Sequence, residues 1–329
     1  MSTIHRQTAV ADVAVRRFGR FSLFAAVYTY LLVLFGGLVR ITGSGLGCGD
    51  DWPKCHGVWI PEFTVETLIE YMHRLLGVTI GLVLIGLALY AYRHRKHPRF
   101  RGPGGLAAPA YGVVFLVLVQ GLLGAVTVWL ELPTAVVVVH FMTALIILGM
   151  LLVGAVRAGA LGTVGAPEEP AAARRHARAA TAAAILAFSA ITLGALTANT
   201  TSAPQACQGF PLCNGTLLPA SVPQVHVHWG HRLLAFALLL HVLVVALRAQ
   251  RIPSLIRRAA VYALLLVAGQ IVVAAALVLL HLPSHLQVLH LGVGAATWAA
   301  IVAWTTLARA AAAHTTAQTH ERPIAAPLA

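Results

Sequence analysis

Eight stretches of this chain, at roughly 21–40, 67–92, 108–130, 134–156, 178–198, 223–248, 257–280 and 284–308, are apolar over about the 20 residues a helix needs to cross a bilayer. Soluble domains are about 25% charged, whereas this chain is 10% charged and 59% hydrophobic, with a mean hydropathy of +0.82. The expected fold is therefore an all-α integral membrane protein with eight transmembrane helices. The first run follows Arg16, Arg17 and Arg20, as the apolar core of a signal peptide would. It is long and has no convincing cleavage site, so it reads as a retained helix.

The net charge of +13 invites a nucleic-acid reading, and its distribution argues against one. If both termini are cytoplasmic, 19 of the 23 Lys and Arg fall on one side, and only Arg40, Lys54, Arg74 and Arg232 lie on or near the other. That bias follows the positive-inside rule and sets the orientation. The lipid bilayer is the partner this implies; no nucleic acid is needed.

The chain is written twice. IEYMHRLLG (69–77) and VHWGHRLLA (227–235) share His-Arg-Leu-Leu 158 positions apart, from His73 to His231. QGLLGAVTVWLELPTAVVVVHF (120–141) and QIVVAAALVLLHLPSHLQVLHL (270–291) align Gln120 with Gln270, Pro133 with Pro283 and His140 with His290. The cysteines match too, Cys48 and Cys55 with Cys207 and Cys213. The implied organisation is a cytoplasmic segment 1–20, a four-helix half 21–156, a cytoplasmic linker 157–177, a second four-helix half 178–308 and a cytoplasmic tail 309–329. Four is even, so both halves enter the membrane in the same direction. This is a parallel repeat of two four-helix bundles with a pseudo-twofold axis along the membrane normal. Short links at Glu131–Pro133 and His281–Pro283 make the third and fourth helices of each half antiparallel neighbours. A long loop between the first two helices carries the cysteines, on the oxidising outer side, where a disulfide within each loop is expected. Two roles stay open for them, a loop staple and a redox-active pair, with Cys48 and Cys55 the better redox candidates.

His73, His140, His231 and His290 all fall about 10 Å below the outer surface, two per half on parallel helices. Polar groups at that depth are costly and usually functional. Two imidazoles facing each other across a bundle can hold a haem iron from both sides. His241 is deeper and unrepeated, and reads as structural. His226, His281 and His285 lie near the outer surface. His5, His94, His97, His176, His314 and His320 lie in cytoplasmic segments and look incidental. Arg74 and Arg232 follow the candidate ligands directly, and either a haem propionate or a lipid phosphate suits them. Glu70 stands one turn before His73 where the other half has His228. It can take a proton or stabilise cationic charge during a reaction; alternatively it caps the helix or pairs with Arg74.

GGLVRITGSGLGCGDDWPKCHG (36–57), EYMHR (70–74), HWGHR (228–232) and LPSHLQVLH (282–290) together resemble haem A synthase, across residues 20–308. The resemblance implies a bacterial plasma-membrane oxidoreductase with haem sites toward the outer face. It would oxidise the C8 methyl of haem O to a formyl group, giving haem A for cytochrome oxidase. His231 and His290 match ligands of a resident haem b, His73 and His140 match the histidines of the haem O site, and Glu70 matches the acidic residue beside it. Cys48–Cys55 and Cys207–Cys213 match the family's two disulfide pairs in its Gram-positive form. Cys-Gly-Asp-Asp-Trp-Pro is one residue longer than the usual Cys-Pro-Asp-Trp-Pro. Association with haem O synthase, cytochrome oxidase assembly factors or a second copy of the chain is left open. Two other functions compete with this one: a dihaem b-type electron carrier without substrate chemistry, and a transporter with parallel repeats. The Glu70/His228 asymmetry argues against the first, and the paired histidines leave little reason for the second.

Overall fold

The computed structural model describes residues 2–102, 104–165, 167–217, 219, 221–249 and 252–320, with side chains between 13 and 313. Segment 321–329 of the expected tail, and the side chains of His5, His314 and His320, lie outside that description. Among the described residues there are eight helices long and apolar enough to cross a membrane. They are α1 (Ser2–Ile41), α2 (Val65–Arg93), α3 (Ala107–Trp129), α4 (Thr134–Arg157), α5 (Pro170–Asn199), α6 (Pro223–Leu247), α7 (Ser254–Leu279) and α8 (Ser284–His320). The expected all-α membrane fold is observed, and extended pairing among the described residues is limited to the isolated bridges Cys55–Val58 and Cys213–Thr216.

Three helices outrun their apolar stretches. α1 reaches back to Ser2, α5 to Pro170 and α8 forward to His320. The added turns are rich in alanine and arginine, which are strong helix formers. Pro170 and Pro223 sit at the first position of α5 and α6, where a missing N–H costs nothing.

The link between α3 and α4 is built by Glu131 and Leu132, both in the left-handed region at φ 54° and 62°. The Leu132 N–H donates to the Thr127 carbonyl (2.7 Å) and the Glu131 N–H to that of Val128 (3.1 Å), the paired bonds that close a helix in a Schellman motif. His281 and Leu282 repeat this between α7 and α8, at φ 60° and 64°, with Leu282 donating to Leu277 (2.8 Å) and His281 to Val278 (3.2 Å). The duplication read from side chains is thus also present in the backbone.

Each set of four helices packs in the same order. α1 meets α2 and α4, α2 meets α3, and α3 meets α4; α5 meets α6 and α8, α6 meets α7, and α7 meets α8. The two sets join through α4 with α8, α1 with α8 and α4 with α5. α1, α4, α5 and α8 therefore form the junction, and α2, α3, α6 and α7 turn residues such as Val78, Leu82, Phe115, Leu118, Leu240 and Leu265 outward. Tyr30 on α1 donates to the Gly292 carbonyl on α8 (3.1 Å), and Trp298 on α8 donates to the Leu145 carbonyl on α4 (2.8 Å).

His176, expected to be incidental, is buried in the α5–α8 contact, where its Nε2 accepts from Trp304 Nε1 (3.0 Å). The expectation failed because α5 continues past its apolar run and carries His176 into the bundle. His241 behaves as expected, donating from Nε2 to the Ala179 carbonyl (2.9 Å). Trp304 is fully buried, so Trp304→Ala should lower stability by about 3–5 kcal/mol. Trp304→Phe, which keeps most of the volume and loses the bond, should fall between the two. Thermal unfolding in detergent checks this; an unchanged midpoint for Trp304→Ala would show that the α5–α8 contact does not support the fold.

Candidate functional site

The four repeated histidines occupy matching helical positions. His73 and His231 are each the ninth residue of their helix, α2 and α6, and His140 and His290 are each the seventh residue of α4 and α8. All these helices begin at the end of the bundle that carries the cysteine loops, so the four rings share one depth. Glycines on the preceding helix of each set make room for two of them. A methyl group at Gly36 would sit 3.1 Å from His73 Cε1, and one at Gly194 would sit 2.8 Å from His231 Cε1. Gly36 and Gly194 are themselves 158 positions apart, the spacing that also separates His73 from His231.

In the second set, the His231 and His290 ring centres lie 6.3 Å apart with their planes at 82°. Two imidazoles this close on two helices of one set are a donor set that would suit a haem iron. His231 Nδ1–H donates to the Ala190 carbonyl (2.8 Å), which fixes the tautomer and leaves the Nε2 lone pair available. Gln270 Nε2 donates to the His290 carbonyl (2.9 Å) and lies 3.1 Å from His290 Nδ1. The two histidines and Gln270 border a partly open cavity of about 70 Å³, otherwise walled mainly by small and aliphatic side chains such as Ala187, Ala235, Leu238 and Val267. That lining suits an apolar ligand held at a few polar points.

The first set has the same residues and different bonding. His73 and His140 are within electrostatic reach of each other, and Phe35 stacks against His73 with ring centres 6.2 Å apart. His73 Nδ1, His140 Nδ1 and Gln120 Oε1 are buried and make no hydrogen bond, as is true of Gln270 Oε1 in the second set; the Gln120 backbone lies within hydrogen-bonding reach of the His140 ring. An unsatisfied buried polar atom costs about 1–3 kcal/mol, so the unpartnered Nδ1 atoms of His73 and His140 mark a place arranged for something other than the fold's own cohesion.

Between each histidine pair and the end of the bundle lies a disulfide loop. Cys48–Cys55 and Cys207–Cys213 are both formed. Gly47 runs so close to the Glu66 carbonyl of α2 that no side chain fits there, and the Thr67 hydroxyl donates to the Gly47 carbonyl (2.7 Å). Glu70 is buried; it accepts the Cys48 N–H (2.8 Å) and forms an ion pair with Arg74. Arg74 also donates to the carbonyls of Asp51 (2.8 Å) and Lys54 (2.7 Å). In the second set His228 donates to the Ala203 carbonyl (3.0 Å), and Arg232 donates to the carbonyls of Gly209 and Leu212 (2.8 Å each) and of Cys207. The residue that differs between the repeats thus does the same mechanical task in each, as an acceptor in one loop and a donor in the other. Of the openings left by the sequence for Glu70, the pairing with Arg74 is present. Arg74 and Arg232, expected to face propionates or phosphates, direct these donors at loop carbonyls.

Residues 19–302 match the COX15-CtaA family, described as a cytochrome oxidase assembly protein. The chain is 32% identical over 267 residues to the Heme A synthase of Alkalihalophilus pseudofirmus, covering 78% of this chain and 86% of that one. It is 33% identical over 285 residues to the Heme A synthase of Geobacillus kaustophilus (81% and 84% covered) and 34% identical over 234 residues to that of Halalkalibacterium halodurans (69% and 74%).

Charge-assisted hydrogen bonds contribute about 1.5–3 kcal/mol each. Arg74→Gln and Arg232→Gln should therefore release their loops, and backbone amide exchange should rise by about tenfold or more at 48–58 and 207–216 respectively. Each variant should loosen its own loop only. Exchange unchanged in both would show that the arginines do not hold the loops.

Proposed function

The chain belongs to the COX15-CtaA family of cytochrome oxidase assembly proteins, and we propose that it is a haem A synthase, oxidising the C8 methyl of haem O to the formyl group of haem A. The observation that carries this reading is the difference between two otherwise matching histidine pairs. His231 is oriented by the Ala190 carbonyl, and Gln270 contacts His290. The pair His73 and His140 keeps buried unsatisfied nitrogens beside Gln120. We assign the first kind of site to a resident haem b and the second to haem O, which must enter and leave. A dihaem electron carrier gives no reason for the two sites to differ.

His231 and His290 would hold the resident haem, which would supply one-electron redox chemistry. His73 and His140 would bind the haem substrate and so orient its ring. Glu70 sets a negative charge one turn from His73, favouring a transition state in which positive charge develops on the substrate. Its ion pair with Arg74 and its bond to Cys48 fix that charge in place. Any contact of Arg74 or Arg232 with a propionate uses donors beyond those holding the loops. The helices form two parallel repeats about a pseudo-twofold axis along the membrane normal. The termini lie in the cytoplasm, and the loop end with its haem sites faces outward, as the lysine and arginine bias directs. Haem O synthase and oxidase assembly factors are the partners this activity implies.

Glu70→Gln keeps size and hydrogen bonding and removes the charge. It should cut haem A formation by about 100-fold, with haem O or a hydroxylated intermediate accumulating in membranes, while His228→Gln changes it little. His73→Ala and His140→Ala should abolish haem A and leave the resident haem bound. Chromatography of haems extracted from the membranes reads all four. Near-normal haem A from Glu70→Gln would confine Glu70 to holding the loop, and haem A from His73→Ala would overturn the assignment of the first site.

A further inference from the structure

Helix α1 stands between the two histidine pairs. One face meets His73 through Phe35 and Gly36. Another meets α8, with Tyr30 on the Gly292 carbonyl and Gly37 so close to Leu291 that a methyl group there would sit 2.7 Å away. In the last turn of α1, Arg40 crosses from the first helix set into the second. Its Nη1 donates to the Ala198 carbonyl of α5 (3.0 Å) and its Nη2 to Gln287 Oε1 of α8 (3.4 Å).

Those contacts place the guanidinium over one particular site. α5 and α8 both wall the cavity, through Ala187 and Ala190 and through His290 and Gly294. Gln287 lies one helical turn from His290 toward the loop end, and Ala198 lies about two turns from Ala190 in the same sense. Arg40 therefore bridges the two helices at the loop end of the cavity. Both partners are neutral, although a guanidinium carries a full charge and five donors. A cation at this depth calls for a counter-ion. Arg74 and Arg232 are held by their loops. Arg40 has no equivalent in the repeat, because position 198 is alanine.

We propose that Arg40 is a carboxylate anchor for the porphyrin held between His231 and His290, donated to the second site by the first helix set. The proposal rests on the reading of that site as the resident haem's. It adds a second difference between the sites: the resident porphyrin is tied by a cross-set ion pair that the substrate, at the other site, does not have.

The test measures haem loss from the purified full-length protein to excess apomyoglobin, following the low-spin absorbance that His231→Ala should abolish. Wild type and Arg40→Gln are each loaded with iron protoporphyrin IX or with its dimethyl ester. Wild type should lose the free acid about tenfold or more slowly than the ester. Arg40→Gln should lose both at one fast rate, and Arg40→Lys should discriminate between them less than wild type. Equal loss of acid and ester from wild type overturns the proposal, as does an Arg40→Gln protein that still discriminates fully. If Arg40→Gln does not fold, Arg40→Lys carries the test, and undiminished discrimination overturns it. A lipid-phosphate role would make loss depend on phosphatidylglycerol content rather than on esterification, and would also overturn it. An absorbance that survives His231→Ala would instead break the resident-haem reading itself.

Discussion

An imidazole buried among apolar helices has two nitrogens to satisfy, and nothing in hydrocarbon will do it. Where a protein carbonyl takes one N–H, the ring is fixed and the other nitrogen becomes a directed lone pair. Where no partner is offered, the ring depends on what binds. This chain does the first at His231, with the Ala190 carbonyl at 2.8 Å, and leaves the Nδ1 atoms of His73 and His140 without a partner. The same residues on the same framework are thus bonded differently in the two helix sets, which is the difference the proposed assignment of two haems rests on.

The framework joins its two helix sets through four helices and ties a disulfide loop to each set. α1, α4, α5 and α8 pack through small residues and cross-helix bonds such as Ser22 to the Leu151 carbonyl (2.7 Å). The loops are tied to α2 and α6 next to the ligands, through Glu70 and Arg74 in one and His228 and Arg232 in the other. Glu70 and His228, one turn before His73 and His231, therefore each hold a loop against the start of α2 and α6.

Much of the fold was legible because membrane helices announce themselves by length and composition, and because the repeat doubles every signal. The four histidines stood out by that doubling, and the structure sets them at equal helical positions. Gly36, Gly194 and Gln120 carried the same mark and were assigned no role, since steric room and second contacts depend on which helices pack. The direction of Arg74 and Arg232 was not legible, because it depends on loops folding back over the helix starts. His176 was misplaced because hydropathy locates the apolar run and not the end of the helix. Arg40 was read only as a charge on the minority side; its reach into the other helix set is a tertiary fact that no local pattern contains.

The claim that the two sites hold different haems is tested most directly by identifying the pigments that survive single ligand losses. Haems extracted from purified wild type, His231→Ala and His140→Ala would be separated and quantified. Two unequal sites predict that His231→Ala loses the non-farnesylated haem b and keeps access to farnesylated haem, and that His140→Ala does the reverse. Loss of the same haem, in the same proportion, from both variants would contradict this and return the protein to two equivalent sites.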